Sequence, residues 1–239
     1  NGFALGVAKT CPECTIDVRF IHTWHDPTIE QEGAKSLFDA GAQVVMTGAD
    51  TPAPAIAAPE GKWGITYDYR HNCTHDACLS SMYWDWGPLY KIEIEKSMNG
   101  TFAGEAIYFD TYEGGMGLLG FMEGEEYMPG VADLPAEDLQ MIHDELALFL
   151  SGEKDRFALF TGPITDNQGN LVLGEGESLR QVDLDPGALR RGEAIDAERT
   201  VPDQLEQAVE RQQVPVHRVE HQGQSRLEAG NARGRAGAI

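Results

Sequence analysis

The chain has 239 residues, 41 % apolar and 24 % charged, which is ordinary globular composition with room for one large domain or two small ones. No apolar run approaches the roughly 20 residues that a transmembrane helix needs. Asp and Glu number 39 against 18 Lys and Arg, and the resulting net charge of −21 repels phosphate backbones, which argues against nucleic-acid binding.

Read along the chain, the first 178 residues alternate strands with helices. Thr15–Thr23 (TIDVRFIHT) alternates polar with apolar residues and predicts a strand. Asp26-Pro27 then supplies a helix cap followed by proline at the first helical position. Ile29, Ala34, Leu37 and Phe38 share one helical face, and Gly41 ends it. Ala42–Thr47 is a short apolar strand of the kind buried on both faces of a parallel sheet. A short helix over Pro52–Glu60, a strand over Lys62–Tyr67 and another over Leu79–Tyr83 follow. Trp86–Asn99 predicts an amphipathic helix stopped by Asn99-Gly100. Ala106–Tyr112 and Leu118–Phe121 predict two extended segments joined through glycines, and Pro135–Leu150 a strong helix left at Gly152. Repeated strand–helix–strand units of this length predict an α/β fold with a doubly wound parallel sheet.

The last 61 residues are a different statistical object. From Leu179 to Ile239 there is no aromatic residue, Met or Cys, and the nine basic residues are all Arg. Few groups there can offset the entropy of ordering, so a low-complexity, mostly disordered tail is expected, with one short helix over Leu205–Arg211.

In such a sheet a ligand sits beyond the carboxyl ends of the strands. Trp24-His25-Asp26, Gly48-Ala49-Asp50-Thr51, Asp68, and Trp84-Asp85-Trp86 follow the four predicted strands. Indoles stack on flat rings, and carboxylates accept hydrogen bonds from hydroxyl or ring N–H groups. With no Lys or Arg among these residues, the rim suits an uncharged sugar, nucleoside or nucleobase rather than a phosphate. Packing in the core and a plain capping role for Asp26 are the alternatives for single residues.

Other motifs compete with this reading. Gly115-Met116-Gly117-Leu118-Leu119-Gly120 spells G-x-G-x-x-G, but Gly124 and Pro129 follow where the dinucleotide fingerprint needs a helix, so a glycine-rich hairpin is expected. His71, Cys73, His75 and Cys78 pack four possible zinc ligands into eight residues, and Cys11 and Cys14 form a C-x-x-C that could complete such a site. Disulfides Cys73–Cys78 and Cys11–Cys14, free thiols and a metal site all remain open. The acidic groups Glu93/Glu95 and Glu123/Glu125/Glu126 are expected on solvated faces. No nucleophile with an acid–base pair is legible, so a binder rather than an enzyme is expected, with no cofactor. A metal-dependent hydrolase using the His71–Cys78 cluster is the alternative.

NGFALG at 1–6, TWHDPTIEQEGAKSLFDAGAQVV at 23–45, TGADTPAP at 47–54, GITYD at 64–68, LSSMYWDWGPLY at 79–90 and FTGPITDNQGN at 160–170 resemble, in order and spacing, the basic membrane protein family of ABC-transporter substrate-binding proteins, in its purine-nucleoside-receptor-like group. The resemblance implies a type I periplasmic-binding fold of two lobes that close on a ligand by a hinge. Residues 1–178 then correspond to the second lobe, truncated at its N-terminal side, with a central strand and the first lobe outside the chain. Unpaired strand edges and exposed apolar faces follow from that expectation.

The resemblance also implies an exported protein that captures a purine nucleoside or nucleobase, hands it to ABC permease subunits, and is held at the outer face of the plasma membrane or in the periplasm by a lipid anchor not present in this chain. Trp24 matches the aromatic position that stacks on the base. Asp68 matches the aspartate that holds ribose hydroxyls, and Gly48 and Asp50 match the loop beside the ligand. Trp84 falls where some nucleoside receptors have a lysine, so a free base is implied as readily as a nucleoside. After Ser178 the family pattern stops.

Overall fold

The computed structural model describes residues 2–178, apart from 105, 106, 108, 133 and 166–169. The expected tail, its helix over Leu205–Arg211 and part of the extended segment Ala106–Tyr112 lie outside the described residues.

The architecture is mixed α/β around a mostly parallel sheet. Strands β1 (Val44–Met46), β2 (Trp63–Asp68) and β3 (Cys78–Trp84) run parallel, and β4 (Met116–Leu118) adds to β3 antiparallel, in the spatial order β1-β2-β3-β4. Helices α1 (Gly2–Thr10), α2 (Pro27–Asp39), α3 (Ala53–Ala57), α4 (Trp86–Met98), α5 (Pro129–Ala132) and α6 (Ala136–Leu150) surround it. A separate hairpin pairs β5 (Ile164–Thr165) with β6 (Leu171–Leu173).

Helix α2 forms as its sequence dictates. The Asp26 carboxylate accepts from the backbone N–H groups of Thr28 and Ile29, satisfying two donors that the helix itself cannot. Its apolar face then buries Ala34 and Phe38 against Val45 of β1, with Leu37, Ala57 and Ala58 at the border. A second small core joins Ala55 of α3 to Cys73 and Cys78, with Leu119 and Met128 packed on it. Gly64 makes the α3–β2 contact close: a Cβ there would lie 2.4 Å from the backbone nitrogen of Ala55.

Several expectations are corrected. Thr15–Thr23 forms no strand: it pairs with none among the described residues, His22 within it bends the chain at φ 55°, and β1 pairs only with β2. Its alternation is real; what it lacks is a neighbour. A cleft of about 1200 Å³ is lined by Ile16, Val18 and Ile21 of this segment, Ala34 and Leu37 of α2, and Val44, Val45 and Met46 of β1. Helix α4 buries no residue, leaving Trp86, Tyr90, Ile94 and Met98 exposed, so the expected buried face is not seen among the described residues. The segment expected to be extended over Leu118–Phe121 contributes only Leu118 to β4; a turn closed by the Phe121 N–H to Leu118 carbonyl bond takes the rest. The G-x-G-x-x-G stretch contains β4 and no helix.

Glu125 does not lie on a solvated face. It is half-buried, accepts from the Tyr83 hydroxyl at 3.0 Å and from the Gly120 N–H at 2.8 Å, and pairs with Arg70 at 3.3 Å. Arg70 also lies 4.2 Å from the Tyr83 ring centroid. This knot ties the turn after β2 to the loop after β4. Elsewhere Arg156 pairs with both Asp110 and Glu113, and Glu145 of α6 pairs with Lys9 and Lys154.

Candidate functional site

The carboxyl ends of β1, β2 and β3 lie side by side because the three strands run parallel in register. Met46 pairs with Ile65, and Asp68 with Tyr83, one residue before Trp84. The loops that follow are joined by a chain of hydrogen bonds. The Asp50 N–H donates to the Trp24 carbonyl at 2.9 Å. The Asn72 side-chain amide donates to the carbonyls of Asp50 and Tyr67, each at 3.1 Å. The Trp84 indole N–H donates to the Tyr67 hydroxyl at 3.2 Å. Trp24 and Asp50, on loops, and Asp68 and Trp84, the last residues of β2 and β3, therefore lie along one hydrogen-bonded network at one end of the sheet.

Each expected residue has a distinct setting. Trp24 is 76 % exposed, its indole free of core packing. Gly48 faces open space, with no atom within 4 Å of where a Cβ would stand. Asp50 is half-buried, so its carboxylate is partly shielded from water. Asp68 is half-buried and sits at φ 73°, the left-handed region that aspartate tolerates better than most non-glycine residues. Such a conformation costs energy and turns the chain sharply at the strand end. Trp84 is half-buried, and Trp86 stacks on it with ring centroids 5.4 Å apart. One face of Trp84 is thus already covered, and a ligand ring could use only the other.

The local sequence explains why the loops hold their shape. Thr47 Oγ1 accepts from the Ala49 N–H at 2.9 Å, a tight turn directly after β1. Glu30, a buried acid on α2, accepts from the Thr51 N–H at 3.2 Å and the Thr51 hydroxyl at 2.5 Å. Its other oxygen accepts from the Asp26 N–H at 2.9 Å. One carboxylate thereby locks the start of α2 to the Gly48–Thr51 loop. Asp26 is a helix cap, as its alternative reading had it, and it reaches the rim only through this network.

Sequence reasoning missed Glu30, Tyr67 and Asn72. Glu30 looks like an ordinary helix-surface acid, and Asn72 bonds backbone atoms far along the chain. No composition or spacing signal could have found either.

The metal reading is corrected. Cys73 and Cys78 are joined in a disulfide, as are Cys11 and Cys14, so no thiolate is left to ligate an ion. Among the described residues no three His, Cys, Asp or Glu side chains are grouped to hold a metal. The His71–Cys78 cluster supports no metal-dependent hydrolase.

In an open, mostly parallel α/β sheet the crevice beyond the carboxyl ends of the strands is where ligands bind. The chain belongs to the Bmp family, the PnrA-like ABC transporter substrate-binding proteins, whose family profile matches residues 1–146. It is 30 % identical over 168 residues to a putative ABC transporter glucose-binding protein of Haloferax volcanii, a match covering 66 % of this chain and 41 % of that one. It is 27 % identical over 180 residues to a purine-binding protein of Brucella abortus, covering 74 % of this chain and 47 % of the relative. The chain thus spans somewhat less than half the length of both curated relatives. A solved ABC transporter solute-binding protein from Conexibacter woesei aligns at a TM-score of 0.47 and 19 % identity, over 65 % of this chain and 51 % of that one. Among the described residues no helix is long and apolar enough to cross a membrane.

Proposed function

We propose that this chain is one lobe of an extracytoplasmic solute-binding protein that captures a purine nucleoside or nucleobase and delivers it to ABC permease subunits without bond chemistry. The observation that carries the ligand class is the joining of an exposed indole, Trp24, to two half-buried carboxylates, Asp50 and Asp68, through linked loops. An indole face stacks a flat ring, and a carboxylate accepts from hydroxyl or ring N–H donors. None of the expected rim residues is cationic, so a phosphate has no counter-charge among them. The purine-binding relative supports this class, and the relative named as a putative glucose-binding protein makes a sugar the ligand to test against it.

The one-lobe reading is supported by the cleft between Thr15–Thr23 and β1. Apolar residues of that segment and of β1 line the same cleft, and β1 pairs with β2 alone among the described strands. Neighbouring strands normally lie about 4.8 Å apart and pair their backbone groups. The cleft fits a sheet that takes a further strand from polypeptide outside the described residues, in keeping with relatives about twice as long. Closure of a second lobe over the rim would complete the pocket, and a lipid anchor would hold the assembly at the outer face of the membrane.

Equilibrium dialysis tests the ligand class. Adenine, adenosine, guanosine and glucose are compared on the two-lobed protein that contains this chain, as wild type and as Trp24→Ala and Asp68→Ala. The expected result is purine retention that each substitution weakens about ten-fold, near 1.4 kcal/mol. Asp68→Ala should discriminate against adenosine more than adenine, since only the nucleoside carries ribose hydroxyls. Retention of glucose alone, or purine retention indifferent to both substitutions, would remove this reading.

A further inference from the structure

We infer that Asn72, held by the Cys73–Cys78 disulfide, is the positioning residue that sets the geometry of the binding rim. The inference rests on the rim being the ligand site proposed above, and its structural half can be tested without any ligand.

Asn72 touches the rim through its side chain alone. Its amide nitrogen carries two hydrogens, and one goes to each of two carbonyls, Asp50 and Tyr67. An oxygen at that position would face two acceptors, so the chemistry requires nitrogen there. The first bond fixes the peptide plane that follows Asp50. The second fixes the plane between Tyr67 and Asp68, and so the φ of 73° that aims the Asp68 side chain. The Tyr67 carbonyl also accepts from the Tyr69 N–H at 2.9 Å. Both carboxylates proposed to grip the ligand are therefore oriented from one amide group.

The amide is itself anchored. Asn72 closes a 3-10 turn over Arg70–Asn72, with its own N–H donating to the Tyr69 carbonyl at 2.9 Å. The next residue, Cys73, is bonded to Cys78, the first residue of β3. Both cysteines are buried, at 4 % and 0 % exposure, beside Ala55 of α3. The disulfide thus fastens the Asn72 turn to the sheet one residue away from the amide. A loop tip that would otherwise be among the more mobile parts of the chain becomes a fixed strut. Rigid supporting groups of this kind decide whether ligand-binding side chains meet their partner without a further ordering cost.

Asn72→Asp preserves shape and removes both N–H donors, and Asn72→Ala removes the amide outright. Backbone hydrogen exchange is measured on the 239-residue wild type and both variants without ligand, and adenosine dialysis is run in parallel. The expected result is at least ten-fold faster exchange at the Asp50 and Tyr69 amides, unchanged protection along α6, and about ten-fold weaker adenosine retention. Unchanged exchange at both loops overturns the inference. Equal loss of protection at the rim and in α6 marks general destabilisation and overturns it as well; the same-shape Asp variant guards against reading a cavity effect as one on the rim. Faster rim exchange in a chain whose wild type retains no adenosine sinks the ligand reading and leaves the positioning role standing.

Discussion

Tyr83 shows how one residue carries both packing and charge. Burial pushes its phenol up, and the hydrogen bond to Glu125 pushes it further, to about 12. Arg70 beside the ring works the other way and is outweighed. An unfolded tyrosine ionises near 10, so the stability from the neutral, hydrogen-bonded phenol is whole below that pH. It is lost as the pH rises from about 10 through 12. Phenolate absorbance should show one tyrosine titrating near 12 in the folded chain, and Glu125→Gln should bring it down. A full complement of tyrosines titrating near 10 would contradict the buried knot. The Asp110–Glu113 pair around Arg156 divides differently. Burial raises Asp110; for Glu113 burial acts in the same direction, but hydrogen bonds from Asp110 and Arg156 overcome it and hold the carboxyl at about 2.

At the scale of elements, the disulfides and the turns matter more than the helices. The Cys73–Cys78 bond closes a short loop, and cross-linking so few residues is worth about 2 kcal/mol by the loop-entropy argument. Replacing both cysteines by alanine should lower the unfolding free energy in urea by about that amount, plus a smaller cost for thinning the Ala55 core. No change would mean that the bond constrains nothing. Much at this scale was legible in the chain. Asp26-Pro27 announced α2, the glycine after α6 announced its end, and the apolar runs announced β1, β2 and β3 within one or two residues. What failed did so for physical reasons. Thr15–Thr23 carries a strand's alternation, but a strand is defined by its partner, and a one-dimensional pattern does not supply one. The apolar residues of α4 promised a buried face, and burial depends on what lies opposite. Glu125 sat in an acidic run that read as solvated, yet Tyr83 and Arg70 lie more than forty residues before it in sequence.

For the whole molecule, the strand ends were predictable and the links between them were not. Gly48, Asp50, Asp68 and Trp84 were expected at one end of the sheet because parallel strands end together, and the strands that carry them do so; Trp24 follows a segment that is no strand and is tied to that end only through the Asp50 N–H. Asn72 and Glu30, which set their geometry, bond to backbone atoms or to distant loops and leave no signature in composition. The most direct test follows the four tryptophan indole N–H signals by nuclear magnetic resonance while adenosine is added up to millimolar concentration. Trp24 and Trp84 stand on the proposed rim, Trp86 stacks behind Trp84, and Trp63 packs at the opposite end of β2 against Gly130. The account predicts saturable shifts of the Trp24 and Trp84 signals with Trp63 unmoved. Shifts confined to Trp63, or none at all, would contradict it.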